Sequence, residues 1–153
     1  MRNLFLGALI VAAAFGCGKS NDSITTTGDK LSGRWKLIKV QDKGPVLETI
    51  APPPGYEGKV YIDFSGNSFS GKTMMNTLSD GTFTLNSADS ITFGPFAMTK
   101  VAENQWGSAF LTVLHSCMFQ SVHPCRPGVI TWLNPGKIEV NTPLRYIITL
   151  EKI

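Results

Sequence analysis

Residues 59–72, Lys59-Val60-Tyr61-Ile62-Asp63-Phe64-Ser65-Gly66-Asn67-Ser68-Phe69-Ser70-Gly71-Lys72, carry the alternation and the turn that decide the fold class. Val60, Ile62 and Phe64 share one face at a period of two, the pattern of a half-buried strand. Ser65-Gly66-Asn67 is turn chemistry, and Ser68 to Lys72 returns as the second arm of a hairpin. The same alternation recurs at Thr82-Phe83-Thr84-Leu85 and at Ile91-Thr92-Phe93. Upstream, Trp35 to Val40 follows Gly33 and reads as the first strand. Residues 41–58 hold Gly44-Pro45 and Pro52-Pro53-Pro54-Gly55, which reads as an irregular crossing with no element in it. Downstream, strands are expected at Val129–Leu133, Ile138–Val140 and Leu144–Leu150, the last with Leu144, Tyr146, Ile148 and Leu150 on one face.

One segment breaks this period. Trp106, Ala109, Phe110, Val113 and Leu114 recur at helical spacing, so a helix is expected there, with Gly107 weakening its first turn. The fold class that follows is mainly β (α+β). We expect a strongly bent antiparallel sheet or partial β-barrel of about eight strands, with the helix over an open end or edge. A lipocalin-like up-and-down barrel is the alternative.

Composition agrees with short strands and turns: 15 Gly and 9 Pro stand among 153 residues, 42% hydrophobic and only 16% charged. That balance excludes a disordered tail and a coiled coil. The net charge of +3 is small and scattered, so no nucleic-acid partner is expected.

The first residues read as a targeting segment. Arg2 is followed by an apolar run from Leu4 to Phe15, the layout of a secretory signal. Ala14-Phe15-Gly16-Cys17 resembles a bacterial lipobox, in which the Cys thiol receives a diacylglycerol before cleavage ahead of it. Residues 1–16 are therefore expected to be a lipoprotein signal peptide, with Cys17 the lipid attachment site and the membrane a partner through that lipid. Residues 17–30 are polar, with Ile24 their only large apolar side chain, and read as a flexible tether. The folded domain is expected over residues 31–153. By analogy with bacterial lipoproteins, Gly18 after the lipidated Cys points to the outer membrane of the cell envelope.

Once Cys17 is lipidated, Cys117 and Cys125 remain as an even pair in an exported chain, and a disulfide between them is expected. An overlapping pattern is His115-Ser116-Cys117 and His123-Pro124-Cys125, a His-x-Cys repeat. Its four nitrogen and sulfur atoms, His115, Cys117, His123 and Cys125, would suit Zn²⁺, or Cu⁺ with Met98 or Met118 nearby. The spacing is not that of a zinc ribbon, and oxidation would consume both thiols. No metal and no cofactor are therefore expected, with that quartet as the alternative ligand set.

Leu31-x-Gly33-x-Trp35-x-Leu37, then Phe69-x-Gly71, Met74-Met75-Asn76, Gly81-Thr82-Phe83 and the run Ile91 to Lys100 together resemble the META domain family, which includes the heat-inducible protein HslJ. In that family Gly-Cys-Asn stands where this chain has Met74-Met75-Asn76. A second Cys often stands where it has Glu103, so a cross-link found in relatives would be lost here at both ends. Residues 115–137 read as an insertion. The resemblance implies an envelope or stress-related domain with no established catalytic site.

The chain's own residues point the same way. It holds no Gly-x-Ser-x-Gly, no phosphate loop and no dinucleotide fingerprint. Asp63, Asp80 and Asp89 fall on strand faces or turns. Asn76 and Thr99 are expected to satisfy backbone groups at the hairpin and ahead of the helix. Trp35, Phe64, Phe69, Phe83, Phe93, Phe96, Trp106 and Phe110 read as core. The expected function is non-enzymatic: a lipid-anchored envelope domain with a binding or structural, stress-related role, whose partner is a protein or a small apolar ligand. The alternative is a lipocalin-like carrier of a small apolar ligand at the barrel mouth.

Overall fold

Eleven consecutive residues, Gly33–Lys43, form strand β1, and both of its edges are used. One edge pairs with β10 (Tyr146–Lys152) from Trp35 opposite Lys152 to Asp42 opposite Tyr146. The other pairs first with β3 (Tyr61–Ser65) and then with β2 (Leu47–Ile50). The computed structural model describes residues 30–87, 89–117 and 125–153. Within it β4 (Ser68–Lys72), β5 (Thr77–Ser87), β6 (Ser90–Phe93), β8 (Gly128–Asn134) and β9 (Lys137–Asn141) follow β3 in chain order. Every neighbouring pair is antiparallel, and the β1–β10 pairing joins the last strand to the first. The fold is thus mainly β, a closed eight-stranded up-and-down barrel, with β2 and the short β7 (Ala97–Met98) as additions. The sheet closes completely, where a partial barrel was the first expectation. Closure satisfies the strand edges that an open sheet would expose.

The alternation read from the sequence is the inside–outside code of this barrel. Ile62, Phe64, Phe69, Phe83, Ile91, Phe93, Ile130, Ile138, Val140, Ile148 and Leu150 are all buried in one cluster. In an eight-stranded barrel the interior is about wide enough for side chains alone. Phe64 meets Phe83 edge-on at 5.0 Å and Phe69 meets Phe93 at 5.8 Å, so the layers interlock through aromatic edges. Phe69 also lies across Gly81, where a Cβ would sit 2.5 Å from the ring. Next to it Asp80 adopts φ 54°, and the β4–β5 register slips between Phe69 and Gly71. A bulge of this kind bends the strand and tightens the barrel.

Helix α1 (Gln105–Leu114) connects β7 to β8 across the end where β8 begins, and it packs on β10 and β1. Asn104 caps it, its Oδ1 accepting from Gly107 N at 2.9 Å. The expected face is buried, but so are Gly107 and Leu111, because the helix is enclosed on more than one side. Trp106 Nε1 donates to Ala51 O at 2.7 Å, and the Tyr56 ring lies 4.4 Å from the Trp106 ring. The segment 51–60 thereby covers the helix start.

Residues 41–58 differ from the sequence reading. β1 runs on to Lys43, and Leu47–Ile50 pairs back onto it as β2. Leu47, Glu48 and Thr49 are all exposed, so this strand has no buried face to write an alternating pattern. Backbone pairing to β1 alone makes it a strand.

Candidate functional site

The Leu31–Leu37 motif closes the barrel end opposite the helix. Gly33 has φ +108°, a left-handed conformation suited to glycine. That turn folds Leu31 back so that its carbonyl accepts from Trp35 Nε1 at 2.6 Å. Leu31, Trp35 and Leu37 are wholly buried. The motif is thus an end plug with its one polar atom satisfied.

The other motif residues form a polar clasp ahead of α1. Asn76 is fully buried, and its Oδ1 accepts from Val101 N at 2.8 Å and from Thr99 Oγ1 at 3.1 Å. Its Nδ2 donates to Val101 O at 2.8 Å and to Glu103 Oε1 at 2.7 Å. The same Glu103 oxygen accepts from Met75 N at 3.0 Å, from Asn76 N at 3.1 Å and from Thr73 Oγ1. Glu103 Oε2 is buried against Gly107 and has no hydrogen-bond partner among the described residues. Asn76 and Thr99 therefore serve the backbone, as their sequence setting suggests. Glu103 was missed as a functional side chain. Its only sequence signal is position, immediately before the capping Asn104, where a carboxylate favours the helix start.

The sulfurs of Cys117 and Cys125 lie 2.01 Å apart, with Cα atoms 4.5 Å apart, which makes the pair a disulfide. Cys117 ends the short 3₁₀ turn after α1 (His115–Cys117), and its sulfur also approaches Arg126 O. The bridge thus fixes the exit of the helix to the chain entering β8. Residues 118–124, with His123 and Met118, lie outside the described residues, as do residues 1–29 with Cys17 and the expected signal and tether. Joined sulfurs are not thiolates, so Cys117 and Cys125 do not offer the two thiolate ligands that the alternative set His115, Cys117, His123 and Cys125 requires. His115 instead stacks on Phe96 at 4.8 Å, and burial holds its imidazole below the ordinary histidine range. In the chain-entropy account so short a loop contributes somewhat under about 3 kcal/mol. Reduction is expected to lower the free energy of unfolding by about 2–3 kcal/mol while the barrel stays folded, read from urea curves with and without reductant. No change on reduction would mean the bridge contributes nothing.

The acidic candidates are structural or surface groups. Asp63 holds Arg34 through paired contacts of 2.8 and 2.9 Å, and Asp80 accepts from Ser79 Oγ at 3.0 Å. Asp42, buried between strands, takes both bonds from Arg145 Nε at 2.8 and 2.9 Å, and that guanidinium holds its carboxyl below the usual range. Beside it Lys43 Nζ donates to Asn141 Oδ1 at 2.9 Å and to Thr142 O, and burial pushes its ammonium down. These contacts lock the end of β1 to the β9–β10 turn.

The end opposite the helix carries an opening of about 530 Å³, lined by Lys30, Trp132, Asn134, Pro135 and Lys152. Trp132 stands edge-on to the buried Trp35 with centroids 6.3 Å apart, so the indole that lines the opening rests on the plug. Trp132 and Lys152 were not singled out in the sequence. Only closure of the barrel brings residues 30, 132 and 152 to one rim.

No family model matches the chain, and no curated protein matches it. Two solved structures are similar. One is a protein from Burkholderia xenovorans determined by NMR, with a TM-score of 0.57 and 15% identity over 100% of this chain and 99% of that one. The other is the crystal structure of a DUF4847 family protein from Bacteroides vulgatus, with a TM-score of 0.52 and 15% identity, covering 79% of this chain and 92% of that one. At such identity the likeness establishes the barrel fold and nothing finer.

Proposed function

We propose that the chain is a lipid-anchored domain of the bacterial cell envelope, most readily the outer membrane, akin to the META domain family and acting by binding or structural support without catalysis. The observation that carries this reading is how the polar groups are used. Asn76, Thr99, Glu103 and Asp42, the side chains best placed for chemistry, are spent on holding loops and strand ends to the barrel. The disulfide supports an oxidising destination, since a reducing cytosol would keep both thiols free. Tethering at Cys17 would hold such a rigid body at the membrane surface.

The experiment is metabolic labelling with palmitate. Label is expected in the wild-type chain and not in Cys17→Ser; label in both, or in neither, overturns the anchor. A second reading, a carrier of a small apolar ligand, is favoured by one observation. The opening over Trp132 lies at a barrel mouth, a recurrent place for ligands.

A further inference from the structure

Alternation along β10 places Ile148, Leu150 and Lys152 on the inward side, and Lys152 emerges at the rim opposite Trp35. Its ammonium lies 5.6 Å from the centroid of the Trp35 ring. Lys30 stands on the same rim, just before the Leu31 plug. Neither lysine has a carboxylate partner among the described residues. The acid nearest in sequence, Glu151, is on the outer face and is shared between Lys36 at 2.9 Å and Lys137 at 3.3 Å. Glu151 is thereby taken up on the outer face, and the mouth keeps two cations beside an indole and a proline ring. Unpaired cations above an apolar floor are complementary to a molecule with one anionic end and one apolar end.

We propose that this mouth binds a small anionic amphiphile, its carboxylate or phosphate between Lys30 and Lys152 and its apolar part on Trp132 and Pro135. The proposal rests on the carrier reading and gives it a ligand class and an address. The opening falls within the range of roughly 300–1,000 Å³ usual for small-molecule sites. Asn134, also on the rim, adds a neutral polar side chain beside the two cations.

The test uses residues 17–153 carrying Cys17→Ser, so that neither acylation nor the apolar run Leu4–Phe15 contributes to binding and a failed anchor leaves the result unaffected. Dodecanoate, dodecyl phosphate and dodecanol are titrated below their micellar concentrations by calorimetry. Both anions are expected to bind, and dodecanol to bind at least about tenfold more weakly. Lys30→Gln with Lys152→Gln should remove that difference and flatten the salt dependence. Trp132→Phe, which keeps an aromatic floor, should abolish most of the fluorescence change on binding. A preference for dodecyl phosphate over dodecanoate would assign the headgroup, and the reverse a free carboxylate. Equal affinity for dodecanol, anion binding unaltered by the lysine variants, or no binding would overturn the proposal. Sedimentation with phosphatidylglycerol vesicles but no binding of the monomeric anions would also overturn it, in favour of a membrane-facing surface.

Discussion

Asn76→Ala is expected to destabilise the domain by about 3–5 kcal/mol, because it removes a fully buried amide and its four part-buried hydrogen bonds at once. Val101 N and Val101 O lose their bonds to the amide, Thr99 loses its acceptor, and Glu103 loses its bond from Nδ2. The bonds between neutral groups contribute about 0.5–1.5 kcal/mol each, and the one to the carboxylate about 1.5–3. Urea denaturation should show a lower midpoint at an unchanged slope, and a loss under about 1 kcal/mol would refute the clasp. Gly107→Ala probes the same carboxylate from the other side. At an ordinary helix position the change stabilises by about 1 kcal/mol. Here the new methyl would overlap Glu103 Oε2, while Oε1 is held by four donors, so the expected sign is reversed. Stabilisation by Gly107→Ala would mean that Glu103 swings away freely.

Trp35→Ala should cost about 3–5 kcal/mol, the range for removing a large aromatic side chain from a packed core. Trp35 is wholly buried, braces Trp132 and donates to Leu31 O, so its loss opens the barrel end as well as a cavity. Trp35→Phe keeps part of the volume and removes the N–H. It should cost less than the alanine change while leaving the Leu31 carbonyl unsatisfied. If the two variants proved equally stable, packing of the indole would not be what closes this end.

Local pattern carried these elements unevenly into the sequence. Where a strand buries one face, as Tyr61–Ser65 and Ser90–Phe93 do, the period of two located it within a residue or two. The helix was legible because five large or small apolar residues recur at its spacing, and all five are buried. β2 was not, since a strand without a buried face has no pattern to read. The expected irregular stretch there mistook the missing pattern for a missing element. Glu103 escaped notice for a related reason. Its role depends on donors 27 and 30 residues away, which no local rule connects.

What the sequence alone determined is the choice of element and face: alternating apolar residues make half-buried strands, and one run at helical spacing makes one helix. It also determined the candidate cysteine pair, because counting cysteines needs no geometry. Only the tertiary structure decided that the sheet closes, since closure depends on Trp35–Asp42 meeting Tyr146–Lys152 across more than a hundred residues. Only closure, in turn, brings Lys30, Trp132 and Lys152 around one mouth. The physical reason is that burial is written along the chain at short periods, whereas register and proximity are settled by long-range backbone pairing that leaves no local trace.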